Sequence, residues 1–174
     1  MPESKIVFVG GIHGVGKGTF CNDISKKYNL EHLTASEVLK WNEISNLKNK
    51  KVKDISSTQE RLINNLAKIV KPNQNYLLDG HFTLLNSSGI PLKIEDETFV
   101  GINPISIILL TCETRTILSR LTNRDDSKYD LSTIQKMQEM EVEHANHISK
   151  KLNIPLFEIK DKDSQLVYNY LKNL

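Results

Sequence analysis

A short apolar run over 5–9, with Ile6, Val7 and Phe8 at its centre, leads straight into glycines at 10, 11, 14, 16 and 18. An uninterrupted apolar run of that length suits a strand buried on both faces of a parallel sheet. The glycines that follow allow a tight turn. Beyond them Phe20, Ile24 and Tyr28 recur at four-residue spacing, which predicts a helix over 17–28. A strand, a tight turn and a helix in that order point to a layered α/β architecture, because each element needs the other to bury its apolar side.

The alternation continues along the chain. Residues 31–34 predict a second strand, followed by a polar, Lys- and Asn-rich stretch over 41–53. Ser57 and Glu60 have the form of a capping box. The helix they open would bury Leu62, Ile63, Leu66, Ile69 and Val70 and stop before Pro72. A third strand over 76–78 ends in Asp79-Gly80-His81. Leu92, Ile94 and Phe99 alternate loosely and predict a small hairpin over 90–100. The run 105–110 is the clearest interior strand. After it come a helix over 114–121, a polar segment over 122–130, a long helix over 132–152 and a strand over 155–159. A closing helix over 164–174 would turn Leu166, Val167, Tyr170 and Leu171 inward. This pattern predicts a parallel sheet covered by helices on both faces.

Composition bounds the function. The chain has 174 residues, and 23 Lys and Arg against 21 Asp and Glu leave a formal net charge of +2. Such a balance supplies no broad basic field for nucleic acid or an anionic membrane. No apolar run is long enough to span a bilayer, and the N-terminus lacks the pattern of a signal peptide. Cys21 and Cys112 lie far apart in apolar-leaning contexts and read as buried thiols in a reducing cytosol. The expectation is one cytoplasmic domain over 1–174, with no nucleic-acid or membrane partner.

Gly11-Ile12-His13-Gly14-Val15-Gly16-Lys17 fits the G-x-x-x-x-G-K pattern of a P-loop, set between a strand and a helix. Its glycines let backbone N–H groups converge on an anion at the positive end of the next helix. Lys17 adds a mobile charge for outer phosphates. The nucleotide-binding candidates are therefore Gly11, His13, Gly14, Val15, Gly16, Lys17, Gly18 and Thr19. The usual hydroxyl residue after the lysine is replaced by Gly18, and Thr19 follows. The whole run GGIHGVGKGT resembles the P-loop of nucleoside monophosphate kinases, adenylate kinases above all. That resemblance implies ATP with Mg²⁺, the metal being held mostly by phosphates and water, with Thr19 near an inner phosphate.

Other segments extend the resemblance. Tyr76-Leu77-Leu78-Asp79-Gly80 is similar to the strand end that, in adenylate kinases, orients water on magnesium. The Asp79-x-His81 arrangement looks like the archaeal-type and nuclear eukaryotic forms, where His81 would position the acceptor or the water. Arg120 and Arg124 share one helix face by spacing, and guanidinium forks suit charge developing on a transferred phosphoryl group. In adenylate kinases an R-x-x-x-R at the lid entry places the first arginine near adenine and the second on phosphate. The resemblance further implies a short lid over 123–130 and an acceptor lobe over 34–71. Thr34, Ser36 and Lys40 would face the acceptor, and the backbone at Lys160 and Asp161 the adenine edge. Trp41 is either packing or a stacking platform. The lysines at 48, 50, 51 and 53, and Arg61, are further anion contacts or solvated surface. Glu143, His144 and His147 read as a solvated helix face rather than a metal site.

The expected fold is thus a P-loop NTPase domain whose five-stranded parallel sheet has the order 2-3-1-4-5, the order coming from the resemblance. The expected activity is transfer of the γ-phosphoryl group of ATP–Mg²⁺ to a nucleoside monophosphate, with Lys17, Asp79, Arg120 and Arg124 as catalytic groups. Small-molecule nucleotides are the expected partners. A slow ATPase acting as a nucleotide-dependent regulator, and a kinase of a non-nucleotide metabolite, remain open alternatives.

Overall fold

The computed structural model describes residues 4–40, 45–46, 51–52, 55–124, 129–160 and 164–174. At its centre β1 (Lys5–Gly10) is flanked by β5 (Asn75–Asp79) and β8 (Ser106–Thr111), with β2 (Glu31–Thr34) and β9 (Leu156–Lys160) at the edges. All four pairings are parallel. Numbered by their appearance in the chain, the five strands lie in the order 2-3-1-4-5. Two-residue strands β3 (Ser45–Asn46) and β4 (Lys51–Val52) form a small separate ladder.

Alternate residues of each strand feed opposite faces of the sheet. On one face Val7, Val9, Leu77, Ile108 and Leu110 meet α1 (Lys17–Tyr28), α5 (Thr114–Arg124) and α7 (Gln165–Lys172). On the other Ile6, Phe8, Tyr76, Leu78 and Leu109 meet α2 (Ala35–Leu39), α3 (Ile55–Ile69) and α4 (Asp96–Ile102). The long helix α6 (Leu131–Leu152) serves both, placing Ile134 and Met137 in the first cluster and Ala145 and Ile148 in the second.

Local chemistry sets the ends of these helices. Thr34, Asp130 and Ser164 cap α2, α6 and α7 by accepting backbone N–H groups of the first turn. Asn29, Asn103 and Asn153 end α1, α4 and α6 in left-handed conformations.

Four expectations need correction. The hairpin is shorter and earlier than predicted, pairing β6 (Thr83–Leu85) with β7 (Pro91–Lys93). Residues 96–102 are helical instead, with Asp96 and Glu97 at the positive end and Asn103 at the stop. Leu166 is 75% exposed rather than inward. His144 is buried rather than solvated, whereas His147 is exposed and pairs with Asp96 at 2.7 Å. Helix α3 begins at Ile55, so Ser57 lies inside it, and the side chain of Ser57 is outside the described residues. Trp41 and lysines 48, 50 and 53 are also outside them.

Candidate active site

The carboxyl ends of β1, β2 and β5 open onto one side of the sheet, the usual position of a ligand crevice in such folds. Between β1 and α1 the glycine loop turns tightly. Gly11 has φ +142°, and a Cβ there would lie 2.7 Å from the Leu110 carbonyl oxygen and 2.8 Å from Val15 Cγ1. Gly16 caps α1 in the left-handed region at φ 104°. Side chains at either position would strain the loop.

Lys17 follows and is buried. Its Nζ donates to the carbonyls of Gly11 at 2.6 Å and Ile12 at 3.3 Å, so the ammonium is held by the loop that it would leave to meet an anion. Burial lowers its pKa, opposed by the charges of Asp79 and Glu141.

Gly11 is fixed from a second direction by Glu141 on α6, whose carboxylate is 1% exposed. It accepts from the Gly11 amide at 3.0 Å, the Phe82 and Thr83 amides at 2.8 Å each, and the Thr83 hydroxyl at 2.7 Å. Burial pushes the carboxyl pKa up, against these donors, which favour its charged form. Glu141 therefore clamps the glycine loop to the segment after Asp79. The sequence reading missed it. The signal was present, since Glu141 continues the apolar stripe of Ile134, Met137, Ala145 and Ile148, where a charge demands a buried partner.

His81 completes the support of Gly11, its Nδ1–H donating to the Gly11 carbonyl at 2.8 Å. Its ring lies 4.3 Å from that of His13. Burial, with the charge of Lys17 next, holds its pKa well below the usual histidine value. Asp79 stands at the end of β5, with Oδ2 3.4 Å from His32 Nε2.

Lys17, Asp79 and His81 line a cavity of about 890 Å³. One wall carries His13, Gly14, Gly16, Lys17, Gly18 and Thr19. Facing them are Thr34, Ala35, Ser36, Glu37 and Lys40, with Asp79, Gly80 and His81 between, and Arg124 also on the lining. Thr34 is partly occupied by its capping bond to the Glu37 amide at 3.2 Å. Behind this wall lies an apolar hollow of about 40 Å³ reached past Ala35, Gly80, His81 and Leu84 and floored by Phe8, Leu39, Leu62 and Phe99.

Four of the predicted positions do not line the cavity directly. Gly11 and Val15 build the loop beneath it. Arg120 braces that loop, Nη1 donating to the carbonyls of Gly14 at 3.1 Å and Val15 at 3.2 Å. Lys160 ends β9 beside a separate hollow shared with Thr111, Gln138 and Glu158. Asp161 and lid residues 125–128 are outside the described residues.

Comparison with known proteins agrees with this architecture. The sequence pattern of a family described as AAA domain matches residues 10–138. An adenylate kinase of Mycoplasma mobile is 28% identical over 131 residues, covering 69% of this chain and 57% of that protein. An adenylate kinase of Encephalitozoon cuniculi is 25% identical over 136 residues, covering 75% and 71%. The chain thus spans less than two thirds of the length of the mycoplasmal relative. Among solved structures, shikimate kinase from Aquifex aeolicus superposes with a TM-score of 0.57 at 13% identity, covering 97% of this chain and 94% of the other, and so shares the fold. With the family pattern running from the end of β1 into α6, the chain belongs to this AAA domain family of P-loop proteins and is adenylate kinase-like.

Proposed function

We propose that the protein transfers the γ-phosphoryl group of ATP to a nucleoside monophosphate. The observation that carries this reading is the two-walled cavity. A phosphate-cradling loop with Lys17 faces a polar segment with Ser36 and Lys40, and Asp79 and Arg124 share the space with both. An acceptor phosphate on Lys40 and a donor γ-phosphate on the loop would meet there.

In this mechanism an acceptor phosphate oxygen attacks the γ-phosphorus as the bond to the bridging oxygen breaks, leaving ADP and a nucleoside diphosphate. No covalent enzyme intermediate forms. The Gly14–Gly16 backbone and the start of α1 bind the donor, and Lys17 and Arg124 oppose the charge that spreads over the moving phosphoryl oxygens. Arg120 holds the loop for this task. Asp79 and Thr19 present oxygen donors to the cavity, a donor set that fits magnesium held largely through water. Magnesium would neutralise charge on the donor phosphates, and Asp79 would keep its water shell oriented.

A second reading, ATP hydrolysis coupled to regulation of a partner, is favoured by the acceptor wall itself. Lys40 is its cation among the described lining residues, and a lysine lacks the bidentate fork of arginine. Product analysis with ATP, Mg²⁺ and each nucleoside monophosphate in turn separates the two. ADP formation that requires one monophosphate, and falls roughly 10²–10³-fold in Lys17→Ala, supports the kinase. Phosphate release that ignores every acceptor rejects it.

A further inference from the structure

On α1, one turn beyond the glycine loop, the buried thiol of Cys21 approaches two side chains from the sheet. The Cys21 sulfur, a ring nitrogen of His32 and a carboxylate oxygen of Asp79 all lie within 4.8 Å of one another. The three come from different elements whose relative positions are fixed by packing and by the β2–β5 register, in which Thr34 stands opposite Asp79 and His32 opposite Leu77. Tetrahedral zinc bonds of about 2.0–2.3 Å space ligand atoms roughly 3.3–3.8 Å apart, so modest side-chain rotation would close the set around one ion.

The His32 ring carries a further sign of its own. His32 Nε2 is sealed from solvent and makes no hydrogen bond, although it lies 3.4 Å from Asp79 Oδ2. Buried polar atoms are nearly always satisfied, and an orphan of this kind calls for an explanation. Cys21 is a free, fully buried thiol beside it.

We infer that Cys21, His32 and Asp79 form a site for a thiophilic divalent cation of the zinc class, with water as fourth ligand. Sulfur and imidazole select such ions over magnesium, which demands oxygen. On binding, the Cys21 proton passes to the buffer, and thiolate and carboxylate together balance the ion's two charges. Lys17 opposes the ion as a neighbouring like charge. Since Asp79 also faces the cavity, occupation draws its carboxylate toward α1. Under the phosphoryl-transfer reading above, that makes the site inhibitory.

The test uses the purified, tag-free full chain titrated with Co²⁺ and then Zn²⁺. The wild type is expected to bind one Co²⁺ with a thiolate-to-cobalt charge-transfer band and tetrahedral d–d bands, both abolished by one equivalent of Zn²⁺. Cys21→Ala removes the charge-transfer band and weakens Zn²⁺ binding at least tenfold. His32→Gln keeps the band and weakens binding at least tenfold, and it carries the test should Cys21→Ala fail to melt cooperatively. Cys112→Ala changes neither. Absence of the band in the wild type, its persistence in Cys21→Ala, or its loss in Cys112→Ala overturns the site. These spectra read no catalysis, so they stand or fall apart from the phosphoryl-transfer reading. If that reading holds, Zn²⁺ inhibits the wild type in excess Mg²⁺ and inhibits Cys21→Ala at least tenfold less.

Discussion

The Gly11 amide donates to the Glu141 carboxylate at 3.0 Å across 130 positions of sequence, so that the middle of α6 holds the first turn of the glycine loop. The same carboxylate gathers the Phe82 and Thr83 amides and the Thr83 hydroxyl. Every donor points at one group, and that group has to be acceptor-only. Glu141→Gln keeps the shape but turns an NH₂ toward backbone N–H groups. The expected loss is about 2–4 kcal/mol of stability, read as a lower urea midpoint. Thr83→Val removes a single hydroxyl donor and is expected to cost about 1 kcal/mol. Equal losses in the two variants would show that the clamp is not shared as described.

Arg120 and Arg124 are one turn apart on α5 and do different work. Arg120 is tied to the carbonyls of Gly14 and Val15, whereas Arg124 lines the cavity. Arg120→Ala is expected to lower stability by about 1–2 kcal/mol and to raise KM for the donor. Arg124→Ala is expected to leave the urea midpoint nearly unchanged and to lower kcat roughly 10²-fold. Steady-state kinetics beside unfolding curves distinguish the pair, and a kcat loss confined to Arg120→Ala would reverse the assignment.

How much of this was legible in the sequence depended on whether the signal was local. The loop 11–17 and the strands around it are written in consecutive residues, and their places follow from the apolar runs 5–9, 76–78 and 105–110. Residues 96–102 were misread because Leu92, Ile94 and Phe99 alternate like a strand. The decisive signs were the acidic pair Asp96 and Glu97 and the stop at Asn103. Leu166 was misread because one exposed leucine on an amphipathic helix does not disturb its period. Glu141 was discoverable as a charge within an apolar stripe, but its partners lie in the glycine loop, at Phe82 and at the start of β6, and emerge only in three dimensions. Cys21, His32 and Asp79 have no common spacing at all. They meet because β2 pairs with β5 and α1 packs above them. Lys160 shows the converse, a residue placed by resemblance that lines a different hollow.

Acid should weaken the fold through its buried histidines. His144, on α6, faces the β7–α4 turn, its Nε2–H donating to the Ile94 carbonyl at 2.6 Å. Burial lowers its pKa below 6.5, outweighing that bond and the nearby Asp96. His81 is shifted the same way. For each, the unfolded chain takes up a proton near 6.5 that the folded chain refuses. Their contribution is therefore present above that value and lost as pH falls through the depressed folded pKa. His144→Gln keeps a donor for Ile94 and cannot titrate. Its unfolding free energy, read from urea curves, is expected to fall less than that of the wild type between about pH 7 and pH 5, by up to roughly 1.4 kcal/mol per pH unit. Parallel curves for the two proteins would remove His144 as a source of acid sensitivity.

Gly80 joins the core to the site by close approach. A Cβ there would lie 2.8 Å from Phe8 Cζ, and Phe8 has little freedom to withdraw. Its ring packs edge-on against Phe82 at 5.0 Å and Phe99 at 5.4 Å, which are themselves stacked at 4.8 Å. The backbone cannot yield easily either, because the Gly80 amide donates to the Val9 carbonyl at 3.0 Å. Gly80→Ala is therefore expected to cost about 1–3 kcal/mol through overpacking and to shift Asp79, lowering activity beyond what lost stability explains. Phe8→Leu removes the obstructing ring edge and costs about 1–2 kcal/mol alone. In the double variant the clash is gone, so the combined loss should fall short of the sum by about 1 kcal/mol. Additive losses in a double-mutant cycle of urea midpoints would place the strain of Gly80→Ala somewhere other than against Phe8.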